Sequence, residues 1–294
     1  MRCGSRDPAR AAAAFPEREW VRLDVDEPGT LGLALNGCSS AVYLVHGMSE
    51  GGAYQDRERA AAQAFAQEAR RAGLERVVYL GGVQPQGRAS THLESRRATG
   101  EALRREVPGT VEWRAGMIVG AGSESWRICR DLATRLPVMV LPRWLRSRSQ
   151  PVGIQDVIAG LCAALTIGVP PGCYDLPGPE ILSAREILVR IARLRGMDPL
   201  MVSVPVVTPK LSSYWIRLVT DANAQLATEL VEGLKSDLLA TGPSLWDRIP
   251  KHALVPFDQA ARQALDEEPS PSFGAFVVES LASALGPMAP PRRL

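Results

Sequence analysis

Gly47-Met48-Ser49-Glu50-Gly51 fits the pattern G-x-S-x-G, the strained strand-to-helix turn that presents a nucleophilic serine above an α/β-hydrolase sheet. Asp237 and His252 follow in the chain order such a triad needs. The surroundings of the pentad argue against that chemistry. A hydrolase of this type places its serine after the fifth strand, yet only 48 residues precede Ser49, enough for about two strands and one helix. The helix should also begin at the serine, whose backbone neighbours form the oxyanion hole. Here Gly51, Gly52 and Ala53 intervene before a helical pattern that starts near Asp56. The pentad is read as a glycine-rich strand-to-helix loop, and a serine hydrolase using Ser49 ranks third among the functions considered.

Other catalytic chemistries find less support. Three scattered histidines and five scattered cysteines without a C-x-x-C pair argue against a metal site and against a disulfide framework. A net charge of +2 with no dense Lys/Arg block gives no basis for nucleic-acid binding. No apolar run is long enough to span a bilayer. Asp7 and Pro8 precede the short apolar patch Ala11–Phe15, so the N-terminus is not read as a signal peptide, and a cytoplasmic location is expected. A chain of 294 residues can bury a real core in one large domain or two small ones.

The elements that must position any site alternate between strand and helix. Val21–Leu23 read as a strand, and "PGTLGLALNG" as a short helix closed by Asn36-Gly37. "SAVYLVH" and "ERVVYLGG" are apolar runs of strand length, the pattern of strands buried on both faces. Between them, residues 56–72 form an Ala-rich helix stopped by Gly73. Residues 90–105 form a second helix, and "VEWRAGMIVG" a further strand ending in glycines. Strands and helices alternating at this spacing indicate βαβ units on a parallel sheet. Beyond residue 125 the regularity loosens. A strand "GCYDL" precedes a Pro/Gly turn and a helix with Ser183 as N-cap and Glu186 three residues on, a capping-box pattern. Residues 200–265 read as a smaller, mostly helical region, and "GPMAPPRRL" as a disordered tail over 286–294.

Taken in order, "RDPAR", "VRLDVDEPGTLGLALNG", "AVYLVHGM", "RVVYLGGV", "STHLESRRATGEALR", "WRAGMIVGAGSESW" and "TPKLSSYWIRLVTDANAQLATELVEGLKSD" resemble the atypical or extended short-chain dehydrogenase/reductases. The NmrA-like and YbjT-like NAD(P)-binding proteins are the nearest branches, and the resemblance runs along nearly the whole chain. It implies a Rossmann-like, doubly wound parallel sheet with a dinucleotide across the carboxyl ends of the strands. It places Arg6 just past the family's second strand, where a guanidinium fork suits a 2′-phosphate and so favours NADP over NAD; a solvated surface arginine is the competing reading. Asp24 and Val25 would lie beside the adenine, and Val45, His46 and Gly47 where the fourth strand's end passes the ribose. Gly116, Met117 and Ile118 would line the nicotinamide side.

The sequence departs from the family in two places. The family opens with a strand and a G-x-x-G-x-x-G turn that receives the pyrophosphate at a helix N-terminus. No such pattern occurs before residue 40, and "MRCGSRDPAR" matches the family's second strand, after its first strand and helix. Either the start lies upstream, or the phosphate cradle is lost and the second and fourth strands must pair or be covered, because unpaired backbone in a sheet centre is costly. Many relatives also use Tyr-x-x-x-Lys, in which a cation lowers the tyrosine pKa for proton transfer. At the matching helix position this chain carries His92 and Arg96, and Gly81-Gly82 stand at the upstream serine position. His92 could donate a proton and Arg96 hold the cofactor, although a guanidinium beside it depresses a histidine pKa. In the alternative, His92 packs the helix start and Arg96 is a cofactor or surface contact. Trp126, Trp144, Tyr214 and Trp215 could line a substrate pocket or belong to core, and Arg143, Arg146 and Arg148 form a basic loop.

The resulting expectation is a Rossmann-like domain over residues 1–165 lacking its first βα unit, and a substrate or cap region over 166–285. The implied function is NAD(P)H-dependent reduction of a carbonyl or quinone-like small molecule. A non-catalytic NAD(P)-binding sensor on the same fold is the alternative.

Overall fold

Alternation of strand and helix dominates the first hundred residues of the protein, as seen in a computed structural model that describes residues 1–46, 54–87, 89–135, 138–142, 146–166, 168–204, 236–249 and 251–267. The chain divides into two compact units that interleave in sequence. One comprises Met1–Gly116, Gln155–Pro177 and Leu238–Leu254, and the other Met117–Ile154, Gly178–Asp237 and Val255–Leu294.

In the first unit, β1 (Arg2–Ser5), α1 (Pro8–Ala14), β2 (Glu19–Arg22), α2 (Gly29–Leu35) and β3 (Ser40–Tyr43) are followed by α3 (Tyr54–Arg71), β4 (Arg76–Gly82), α4 (Thr91–Glu106) and β5 (Val111–Ala115). Local sequence accounts for the boundaries. Asp7 caps α1 by accepting from the Arg10 amide, with Pro8 at the first helical position, where its missing N–H costs nothing. Ser90 caps α4 in the same way through the Leu93 amide. α3 ends at Gly73, whose φ of 74° is the left-handed conformation that glycine adopts without steric cost.

The ladder β3–β4–β5 is parallel throughout and is extended on the far side by β10 (Gly172–Leu176), reached through α6 (Ile154–Thr166). β4 and β5 are almost wholly buried, which is why their sequences are apolar without alternation. The core beneath them gathers Leu31, Leu35, Tyr43, Phe65, Val77, Tyr79 and Leu103, with the Tyr43 and Phe65 rings 4.7 Å apart between centroids. Glu112 of β5 is buried but held by Arg104 and by Arg114, whose Nε lies 2.9 Å away.

β1 and β2 form a separate parallel pair, with Arg2 opposite Glu19 and Ser5 opposite Arg22. Among the described residues β1 has no strand partner besides β2, and β3 none besides β4. Of the alternatives left open, direct pairing of the strands matching the family's second and fourth is not seen among the described residues. Two boundaries also move. The first predicted strand lies at Glu19–Arg22 rather than Val21–Leu23, and "VEWRAGMIVG" is two strands instead of one. The chain leaves the sheet after Ala115, and β6 (Ile118–Val119) pairs with β9 (Val152–Gly153).

The second unit packs β6, α5 (Glu124–Arg135), α7 (Ala184–Leu194) and α8 (Phe257–Glu267) around Trp126, Ile187, Ile191, Phe257 and Ala261. Ser183 and Glu186 form the predicted capping box, with the Glu186 amide 3.2 Å from Ser183 Oγ and the Ser183 amide 2.7 Å from Glu186 Oε2. Arg190 of α7 joins Glu180 to Asp258, lying 2.7 Å from the latter. β7 (Val138–Pro142) pairs in parallel with β12 (Leu200–Val204), and β8 (Arg148–Ser149) antiparallel with β11 (Leu182–Ser183). Residues 200–265, expected to be mostly helical, thus begin as a strand. Residues 205–235, which include Tyr214 and Trp215, lie outside the described residues, as does the tail. No helix among the described residues is long and apolar enough to cross a membrane.

Gly109, in the turn between α4 and β5, is held close to the backbone before β4: a Cβ there would sit 1.8 Å from the Glu75 carbonyl oxygen. Gly109→Ala must push that turn away from the sheet and is expected to cost about 1–3 kcal/mol, read as a lower urea midpoint with an unchanged slope.

Candidate functional site

Strand tips bring Arg6, Asp24, Val25, Val45 and His46, of the predicted cofactor residues, to one cavity of about 330 Å³, at the small end of ligand-binding pockets. The tip of β1 supplies Ser5 and Arg6, that of β2 supplies Asp24 and Val25, and that of β3 supplies Val45 and His46. α3 closes the side with Tyr54, Arg57 and Glu58, and Thr99 of α4 also reaches it. A crevice at the carboxyl ends of parallel strands is where open α/β sheets bind ligands.

The loops at these tips are held by their own hydrogen bonds. The Asp24 amide and carbonyl both bond the Thr30 hydroxyl, at 2.9 and 3.0 Å, and Asp24 Oδ1 accepts from the Asp26 amide at 3.1 Å. Ser5 Oγ lies 3.1 Å from the Asp7 amide. The Arg6 carbonyl accepts from Arg22 at 3.1 Å, and Arg22 in turn grips Glu27 through both carboxylate oxygens. The backbone around Arg6, Asp24 and Val25 is thus fixed before any ligand arrives.

Glu58 is the polar group that sequence reading missed. It is buried on α3, and Ser95 Oγ of α4 donates to its Oε2. A signal was present: Tyr54, Glu58, Ala61 and Phe65 share the buried face of α3, and an acid on an otherwise apolar face requires a partner.

His92 and Arg96 lie on α4 as expected, beside a polar cluster beneath the strand tips. Arg96 donates from Nη1 to the Leu80 carbonyl at 3.0 Å, and its own carbonyl accepts from the Tyr79 hydroxyl at 3.1 Å. Its Nε is buried without a protein partner among the described residues. The electrostatic effect on its neighbours is uniform. Burial, then the Arg96 guanidinium, then His46 bring the His92 imidazole down to about 3. Burial and Arg96 also lower His46, whose Nδ1 is 3.2 Å from the Leu44 carbonyl. Burial raises the Tyr43 and Tyr79 phenols. At neutral pH both imidazoles are neutral and both phenols protonated.

Other predicted residues are placed elsewhere. A Cβ at Gly81 would meet Glu112 Oε1 at 3.1 Å and the Tyr79 ring at 3.2 Å, so this glycine makes room for interior side chains and does not line the cavity. Gly116 ends the first unit's opening segment, whereas Met117 and Ile118 belong to the second unit, where Ile118 pairs with Val152. Trp126 is core, and Arg148 is gripped by Asp237 through both its guanidinium and its amide. Gly47 and Ser49 lie outside the described residues, as do Arg143 and Trp144. The two residues that could have completed a serine triad take different partners. Asp237 binds Arg148, and His252 Nε2 lies 2.8 Å from Asp156 Oδ1. Among the described residues no cluster of His, Cys, Asp and Glu is placed to hold a metal ion.

A stability consequence follows from His92. In the folded chain its imidazole stays neutral down to about pH 3, whereas the unfolded chain binds a proton below its ordinary 6.5. The unfolded state therefore holds more protons between those values, and stability falls as pH drops through that window. His92→Gln is expected to make the fall shallower, measured by urea unfolding at stepped pH from 7 to 3.

No known family profile matches the sequence, and no curated protein matches it. Solved structures do. A triphenylmethane reductase from Citrobacter sp. superposes with a TM-score of 0.70 at 16% identity, covering 90% of each chain. An NADPH-dependent quinone oxidoreductase from Escherichia coli, solved with NADPH, gives 0.68 at 16% identity over 88% of each chain. A nucleoside-diphosphate-sugar epimerase from Staphylococcus aureus gives 0.69 at 13% identity, covering 89% of this chain and 90% of that one. The chain has the Rossmann-type fold that these reductases and epimerases share.

Proposed function

We propose that the protein binds NAD(P) at the tips of β1, β2 and β3 and reduces a carbonyl or quinone-like small molecule. The observation that supports this most directly is the convergence of Arg6, Asp24, Val25, Val45 and His46 on one cavity at the carboxyl ends of parallel strands. The likeness to reductases that use NADPH supports the same cofactor class. The donor set suits the adenosine end of a dinucleotide: a guanidinium for a 2′-phosphate, a carboxylate for ring or ribose donors, and apolar Val25 and Val45 against the base.

When bound, the nicotinamide supplies the hydride. The chain's own residues bind and orient. Arg6 meets the phosphate, and Arg96, fixed to the Leu80 carbonyl, places a positive charge beneath the strand tips. His92 is neutral at physiological pH, so its role is to donate a hydrogen bond from its ring N–H while solvent returns the proton. The same neutrality favours a second reading. A chain with no acid near its ordinary pKa at the tyrosine position suits a nucleotide sensor that binds without turnover.

Titration of the purified protein with NADPH and NADH, followed by calorimetry, tests the cofactor reading; no binding of either at millimolar concentration would refute it. Arg6→Ala is expected to weaken NADPH about tenfold, a charge-assisted hydrogen bond's worth, with NADH little affected. Turnover with quinones or aldehydes separates the reductase from the sensor, and a His92→Ala variant with unchanged turnover removes His92 from the chemistry.

A further inference from the structure

We propose that Glu58 reads the edge of the ligand's base, accepting a hydrogen bond from an exocyclic amine and so selecting an adenine nucleotide over its 6-oxo counterpart. The inference rests on the cofactor reading above and gives a role to the α3 wall of the cavity, which that reading leaves without one. Tyr54, Glu58 and Ala61 of α3 line the cavity, spaced by four and then three residues, so they stand in one row along a helix face. All three are buried, and Phe65 continues the row into the core. A carboxylate in such a row is costly unless donors meet it. Glu58 keeps only 8% of its surface exposed. Ser95 of α4 donates to its Oε2. An ionised carboxylate has about four acceptor positions, and so can serve a serine and a ligand donor together.

The charge of Glu58 reaches the cavity. It adds to burial in raising the Tyr43 phenol, and it opposes burial and Arg96 at the His46 imidazole; both residues line the same space. The neighbours of Glu58 decide which part of a nucleotide it meets. Tyr54 and Ala61 flank it along the helix, and Val25 and Val45 line the cavity from the strand tips. A ring and apolar side chains on these sides suit a flat base, whereas a phosphate belongs with Arg6 at the tip of β1. The cavity's other carboxylates are placed differently. Asp24 accepts from the Asp26 amide within its own loop, and Asp26 is exposed to water. Glu58 is the buried one, and a buried acceptor discriminates most strongly between a donor and another acceptor. An amine at position 6 of a purine donates; a carbonyl there sets acceptor against acceptor.

Calorimetry on the purified full chain compares NADPH and NADH with their hypoxanthine analogues, in which the 6-amino group is replaced by a carbonyl. The analogue is expected to bind at least about tenfold more weakly, the worth of one hydrogen bond to a charged group. Glu58→Gln keeps the shape and an acceptor for Ser95 while offering an N–H to the ligand, so the preference should vanish or reverse. Glu58→Ala removes the acceptor outright and should bring the two affinities to within about twofold. Urea unfolding checks that each variant is folded. Equal binding of the adenine and hypoxanthine forms by the unaltered chain overturns this inference, whether or not a variant folds, and leaves the cofactor reading standing. A preference that survives in either folded variant also overturns it, because another group then reads the base. Failure of both NADPH and NADH to bind at millimolar concentration overturns the cofactor reading and this inference with it.

Discussion

A parallel strand in the middle of a sheet needs hydrogen-bonding neighbours on both sides, and that requirement organises the first unit of this protein. β4 and β5 meet it and are the most buried strands, with Val77, Val78, Val111 and Trp113 fully enclosed. Their burial holds α3 and α4 against the sheet and so fixes where Glu58, Ser95 and Arg96 stand. On the other flank, among the described residues, β1 and β3 meet it along one edge only. The tips that form the cavity therefore belong to strands with very different support, β3 anchored to the ladder and β1 and β2 anchored chiefly to each other.

Electrostatics beneath the tips depend on one guanidinium. Arg96 is tied to a backbone carbonyl, and its charge is felt by Tyr43, His46, Tyr79 and His92 together. A cation beside a tyrosine promotes the phenolate, but burial outweighs it at both tyrosines and the phenols stay protonated. At the histidines burial and the cation act in the same sense, which is why His92 departs so far from its ordinary value. Glu58, which accepts from Ser95, acts on Tyr43, His46 and Tyr79 in the sense opposite to Arg96.

Much of this was legible in the sequence because apolar runs, glycine stops and caps are local signals. The strands around Val42, Val78 and Trp113, the helix end at Gly73 and the capping box at Ser183 follow from neighbouring residues alone. The resemblance drawn from ordered segments anticipated the Rossmann-type fold and brought Arg6, Asp24, Val25, Val45 and His46 to one place. What was not legible depends on long-range contacts. The break between Ala115 and Ile118 arises because β6 finds a partner at Val152, far along the chain. Glu58 looked like one of many charges on a helix, and only the packing of α3 on α4 turns it inward. Gly81 stands at the family's upstream serine position, but its missing side chain makes room for Glu112 and Tyr79.

The interleaving of the two units bears on how such a chain could arise. The backbone passes between them at residues 116, 154, 177, 237 and 254. A cut after 154, 177 or 237 would leave each unit with pieces on both sides. Neither unit is a contiguous stretch of gene, so joining two ready-made domains end to end could not have produced this arrangement.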